Sequence, residues 1–160
     1  MGSYADDALF MSRNNIEYVE LISDDGKSKV MVIPAWQGRV MTTSAAGDEG
    51  DSYGWINYSF IKKRQIDLQF NPVGGEERFW LGPEGGVFSL YFRQGEKQIY
   101  KNWKVPPVLD IEAFKIQSQS KNCICLTKEG CLTNACGTTF YLNIKRTISL
   151  LDINEFAASF

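Results

Sequence analysis

Across residues 139–151 apolar and polar side chains alternate in step. Phe140, Leu142, Ile144, Ile148 and Leu150 share one face, while Tyr141, Asn143, Lys145, Thr147 and Ser149 share the other. A period of two belongs to an extended chain with one covered face, so this run is predicted to be a long strand buried on one side. Shorter segments repeat the theme. Residues 17–22 and 29–33 are β-friendly runs, rich in Val and Ile, joined by Asp24-Asp25-Gly26-Lys27, a hairpin signal. Pro34 and Gly38 close the second of these, and residues 40–44 form a short extension. In residues 87–92, Phe88, Leu90 and Phe92 alternate with Val87, Ser89 and Tyr91, which predicts a further strand. Phe114 and Ile116 alternate with Lys115 and Gln117, residues 118–122 turn, and residues 123–127 return as a second hairpin.

Helical signals are few. Residues 5–13 place Asp6 and Asp7 at the positive end of a short apolar run and predict a short helix, with residues 1–15 serving as an N-terminal helix or arm. Residues 53–64 are aromatic-rich, and periodicity leaves a short helix and an irregular connection equally open. Residues 45–52 are small, polar and acidic, an exposed loop, and Pro106-Pro107 stiffens the loop over residues 101–107. Strand-turn-strand units without intervening amphipathic helices predict an all-β fold, an antiparallel β-sandwich. The 160 residues suffice for one sizeable core and are read as a single unit. Residues 152–160 follow the long strand at once. If that strand lies mid-sheet, its next neighbour is missing, and an open edge invites pairing with another chain, hence a homo-oligomer.

Composition narrows the function classes. A net charge of −2, with basic residues scattered, offers no footprint for nucleic acid. No apolar run of the length needed to span a membrane occurs, and the start MGSYADDALF lacks the features of a secretory signal, which leaves the compartment open. Cys123, Cys125, Cys131 and Cys136 are the 4 cysteines of a chain with no histidine, so a zinc site would need all of them. They are read instead as small buried hydrophobes of a reduced protein. The acidic run Gly47-Asp48-Glu49-Gly50-Asp51 lacks a calcium-loop pattern and is read as a solvated turn. No metal or cofactor is implied.

The densest chemistry lies in residues 71–86, NPVGGEERFWLGPEGG. Paired glycines and a Gly-Pro step fold the backbone back repeatedly. Between the bends, Glu76, Glu77 and Glu84 accept hydrogen bonds from hydroxyls, Arg78 offers a planar fork of donors, and Phe79 and Trp80 present flat apolar faces. This is a polyol or sugar cradle, or else a turn-rich connection whose charges and aromatics pin it to the core. Arg78 either contacts ligand or pairs with Glu84 or Glu77. Asn71 either donates to a hydroxyl or caps the turn before Pro72.

Several stretches carry a resemblance: VIPAWQGRVM at residues 32–41, YGWINY at 53–58, GGEERFWLGPEGG at 74–86, FSLYF at 88–92, and the pieces LTN at 132–134 and GTTF at 137–140. From about residue 18 to 150 the chain resembles a bacterial family of uncharacterised proteins similar to galactose mutarotase (aldose 1-epimerase), with its β-supersandwich. The resemblance implies saccharide contact by Arg39, Asn71, Glu77, Arg78, Trp80 and Glu84, with Trp36 as an alternative stacking platform that, like Trp55, is assigned to the core. Members of the resembled family are longer, so the chain looks like the N-terminal half of such a domain. Mutarotase-type chemistry uses a glutamate base and a histidine acid on opposite sides of the sugar. With no histidine here, catalytic residues stay unassigned, and a noncatalytic sugar-binding domain or an assembly domain pairing through its sheet edge stands beside the enzyme reading.

Overall fold

The computed structural model describes residues 2–151. Its regular elements are chiefly strands, in two antiparallel three-stranded sheets. The first contains β1 (Val19–Ile22), β2 (Lys29–Ile33) and β3 (Arg39–Ser44), and the second β4 (Lys115–Gln119), β5 (Cys123–Thr133) and β6 (Thr139–Ser149). The chain is therefore all-β and sandwich-like, with two short α-helices among the described residues, α1 (Tyr4–Arg13) and α2 (Tyr58–Lys63).

Each sheet is a meander because its turns dictate one. Between β1 and β2, Asp25 accepts hydrogen bonds from the Ser23 hydroxyl (2.6 Å) and the Lys27 amide (3.0 Å). Those bonds fold the chain back and hold the Asp25 carboxyl below its usual range. The sandwich core forms where Leu21, Val30, Val32 and Val40 of the first sheet meet Ile124, Leu126, Leu132 and Ile144 of the second. On the opposite face of the first sheet, Met31, Ile33 and Met41 pack against Tyr4 and Met11 of α1, Ile61 of α2, and Ile56 and Val73. Strand β2 is thus covered on both faces and buried at every position, which is why residues 30–33 are an unbroken apolar run, while Lys29 at its start is paired with Glu20 and Asp48.

Helix α1 begins at a capping box: the Ser3 side chain accepts from the Asp6 amide, and the Asp6 carboxylate accepts from the Ser3 amide. Buried Asp7 then accepts from the hydroxyls of Ser52 and Tyr58, tying α1 to the chain beyond β3 and to α2. Among the described residues no helix is long and apolar enough to cross a membrane.

Three expectations need correction. Residues 87–92 form no strand, although their alternation is real. The Ser89 amide donates to the Gly86 carbonyl, the Leu90 amide to the Pro83 carbonyl and the Tyr91 amide to the Ser89 hydroxyl, so these amides are satisfied within their own loop rather than by a neighbouring strand. Strand β6 is present, but Ile144 alone of its residues is buried, and Phe140 keeps 45% of its surface exposed. The facing sheet is too short to cover an 11-residue strand. All four cysteines are free thiols, and although Cys125 is buried, Cys131 and Cys136 are exposed. The expectations placed on residues 152–160 lie outside the described residues.

Candidate functional site

Residues 71–78 run beside the edge of β3, where Val40 pairs with Glu77 and Ile56 with Gly74 in isolated bridges. Such an approach needs glycine. Gly74 (φ +97) and Gly75 (φ +111) lie in the left-handed half of conformational space. A Cβ on Gly74 would collide with the Trp55 carbonyl oxygen, and one on Gly75 would sit 2.9 Å from Cδ of Arg39. The first glycine pair therefore serves close packing. Glu76 is spent in the same seam, accepting from the amide and hydroxyl of Thr43.

Arg39 does not reach solvent. It is 2% exposed and donates to the Gly74 carbonyl (2.8 Å) and the Gln37 side-chain oxygen (3.3 Å). Burial, with the neighbouring charge of Arg78 adding to it, pushes the guanidinium down to about 10. The expected hydroxyl-binding Arg39 is instead a buried brace between β3 and the glycine pair. Glu77, although half-exposed, is also engaged within the chain: it pairs with Arg146 of β6, which also donates to the Gly38 carbonyl (3.2 Å). That pair clips one sheet to the other.

The centre of the arrangement is Asp110, which follows the 3-10 turn Pro107–Leu109. One carboxylate oxygen accepts from the Asn71 amide (2.9 Å) and its side-chain nitrogen (2.7 Å), while the other faces Arg78 at 3.4 Å. Arg78 donates further to the Leu109 carbonyl (2.6 Å). Burial lowers the Arg78 guanidinium and the carboxylate of Asp110 opposes that shift. The partner of Arg78 is thus Asp110 rather than Glu77 or Glu84, and Asn71 binds the same acid. Sequence reading overlooked Asp110. Its signal was an isolated acid inside the apolar run Val108, Leu109, Ile111, where a charge persists only with a partner.

Arg78 also begins an aromatic stack. Its guanidinium carbon lies 4.1 Å from the Trp80 ring centroid. Tyr91 follows Trp80 at 5.2 Å, tilted by 33°, Trp103 follows Tyr91 at 5.6 Å with planes 6° apart, and Tyr100 follows Trp103 at 6.2 Å and 12°. The stack runs from the buried ion pair to the surface, where Tyr100 is 77% exposed. There Glu84, oriented by a hydrogen bond from the Trp80 ring nitrogen (2.9 Å), lines a shallow hollow of about 320 Å³ with Phe92, Gln98, Ile99, Tyr100 and Trp103. The hollow offers a flat apolar floor and one carboxylate acceptor. Tyr100 and Trp103 were not expected in a site, because nothing local distinguishes them from core aromatics.

The six expected contacts therefore do not converge on one site: Arg39 and Glu77 lie in the β3 seam, Asn71 and Arg78 on Asp110, Trp80 between Arg78 and Glu84, and Glu84 alone of the six lines the hollow. Trp36 is half-buried against the α1–α2 cluster, whereas Trp55, expected in the core, is 64% exposed. Among the described residues no group of His, Cys, Asp or Glu is arranged to hold a metal ion. No curated protein and no solved structure matches the chain. One family model does, over residues 2–160, and the chain belongs to that family, a family of unknown function (DUF6786).

Proposed function

We propose that the chain is a carbohydrate-binding domain on a mutarotase-like sandwich, with a saccharide seated in the hollow beside Glu84. The observation carrying this reading is the stacked, near-parallel pair Tyr100–Trp103 next to a carboxylate already oriented by Trp80. A pyranose has one apolar face and a rim of hydroxyls; the aromatic floor suits the first and Glu84 the second. Aldose 1-epimerase activity needs one group to take the anomeric proton and another to protonate the ring oxygen. Glu84 is the single carboxylate among the residues lining the hollow, so binding without turnover is the form of the reading that these residues support.

The test is an NMR titration with a panel of mono- and oligosaccharides, alongside polarimetry on several aldoses. Binding that perturbs Tyr100 and Trp103 and is lost in Tyr100→Ala and Glu84→Gln supports the proposal. A flat response across the panel refutes it, and accelerated mutarotation would restore the enzyme reading.

A second reading, an assembly domain, draws on the half-open apolar face of β6, where Phe140 is 45% exposed and Leu142, Ile148 and Leu150 are half-buried. β6 pairs with β5 on one side and lies at the edge of its sheet among the described residues. Sedimentation showing a monomer at high concentration would dismiss it.

A further inference from the structure

We propose that a second pocket, on the helical side of the first sheet, binds a small aromatic acid that carries a hydroxyl. The pocket measures about 330 Å³, the lower end of the range for small-molecule sites. Its walls are chiefly apolar, with Ile16, Trp36, Phe60, Ile61, Val73 and Ile111 among them. A sugar fits such walls badly, because most of its hydroxyls would be left without partners. A single flat ring suits Trp36 and Phe60.

The polar part of the wall specifies the rest. Asn71 and Asp110 both line the pocket. Both side-chain hydrogens of Asn71 are committed, to the Asp67 carbonyl (2.8 Å) and to Asp110 (2.7 Å), and a carboxylate has none to give. What remains on these two side chains is acceptor capacity alone, so a ligand group seated against them must bring a donor, whereas Asn14 and Gln65, which also line the pocket, carry amide donors of their own. At the exposed side stands Arg64, the residue ending α2 in a left-handed conformation (φ 51). Among the described residues it forms no ion pair, and Lys62 and Lys63 precede it on the helix. Arg64 alone of these lines the pocket, and its cation suits a carboxylate. The ligand class is therefore a hydroxyaryl carboxylic acid, hydroxyl inward and carboxylate outward. This site shares no residue with the hollow beside Glu84, and its occupancy does not depend on saccharide binding there.

The experiment titrates the methyl-labelled chain with 3-(4-hydroxyphenyl)propanoate, 3-phenylpropanoate and 4-ethylphenol, following Ile61, Val73 and Ile111 by NMR. The first compound is expected to move these methyls. Removing its hydroxyl should weaken binding about fivefold, and removing its carboxylate about threefold. Arg64→Gln, a change at an exposed side chain, should erase only the second difference. No methyl shift up to the solubility limit overturns the proposal. So does equal binding of all three compounds, or indifference to Arg64→Gln.

Discussion

Arg78 holds its guanidinium 4.1 Å from the Trp80 ring centre while facing the buried carboxylate of Asp110 at 3.4 Å. Stacking and pairing together use the planar, delocalised character of the group, which lysine lacks. With 20% of the Arg78 side chain and 4% of the Asp110 side chain accessible, removing the cation strands a buried charge. Arg78→Ala should cost about 3–5 kcal/mol in urea unfolding, and Arg78→Lys should recover only part of it. Adding Asp110→Asn to Arg78→Ala should cost less than the sum of the single changes. A loss below about 1 kcal/mol for Arg78→Ala would mark the pair as unimportant to the fold.

Gly74→Ala and Gly85→Ala separate packing glycines from the rest. The first combines φ +97 with a collision against the Trp55 carbonyl, and should lose about 3 kcal/mol. At Gly85 the nearest atom to an added methyl is the Gln98 side-chain oxygen at 3.8 Å, and stability should move by no more than about 0.5 kcal/mol. Thermal unfolding of the two variants side by side decides it.

Alkaline pH should weaken the attachment of α1. Burial, then the hydrogen bond to Asp7, pushes the Tyr58 phenol up to about 12 from its ordinary 10.0. The unfolded chain releases this proton first, so the contribution is whole below pH 10 and is lost as pH rises towards 12. Tyr58→Phe should flatten part of that fall in melting temperature. Buried Tyr4 and Tyr91, whose phenols are also raised, maintain the remainder. An unchanged slope in Tyr58→Phe would contradict the Asp7 contact.

Tyr100→Ala and Trp103→Ala should differ in kind. Tyr100 is 77% exposed, so its loss should leave the melting temperature nearly unchanged and remove saccharide binding. Trp103 packs between Tyr91 and Phe70 as well as Tyr100, and its loss should cost about 3 kcal/mol besides. Equal destabilisation by the two changes would argue against the stack as drawn.

Legibility varied with the range of the interactions involved. The Asp25 turn, the Ser3 cap and the alternation of β6 are local, since their partners lie within a few residues, and residue type suffices to read them. The alternation at residues 87–92 misled because a period of two records which sides face inward and says nothing about whether a neighbouring strand is present to complete a ladder. Arg39 misled for a related reason: an arginine at a strand end is ordinarily at the surface, and only the passage of Gly74 and Gly75 across β3 seals it.

From composition and pattern alone came the all-β class, two hairpins, the N-terminal helix and the unusual segment at residues 71–86, because periodicity and turn chemistry act through near neighbours. Only the folded chain decided that Arg78 pairs with Asp110, that Glu77 reaches Arg146, and that Tyr100 and Trp103 join Glu84. Those partners stand 32, 69 and some 16 to 19 positions apart along the chain. Charge and aromatic contacts over such separations depend on where two sheets and a glycine seam bring the backbone, a geometry that no local run of residues encodes.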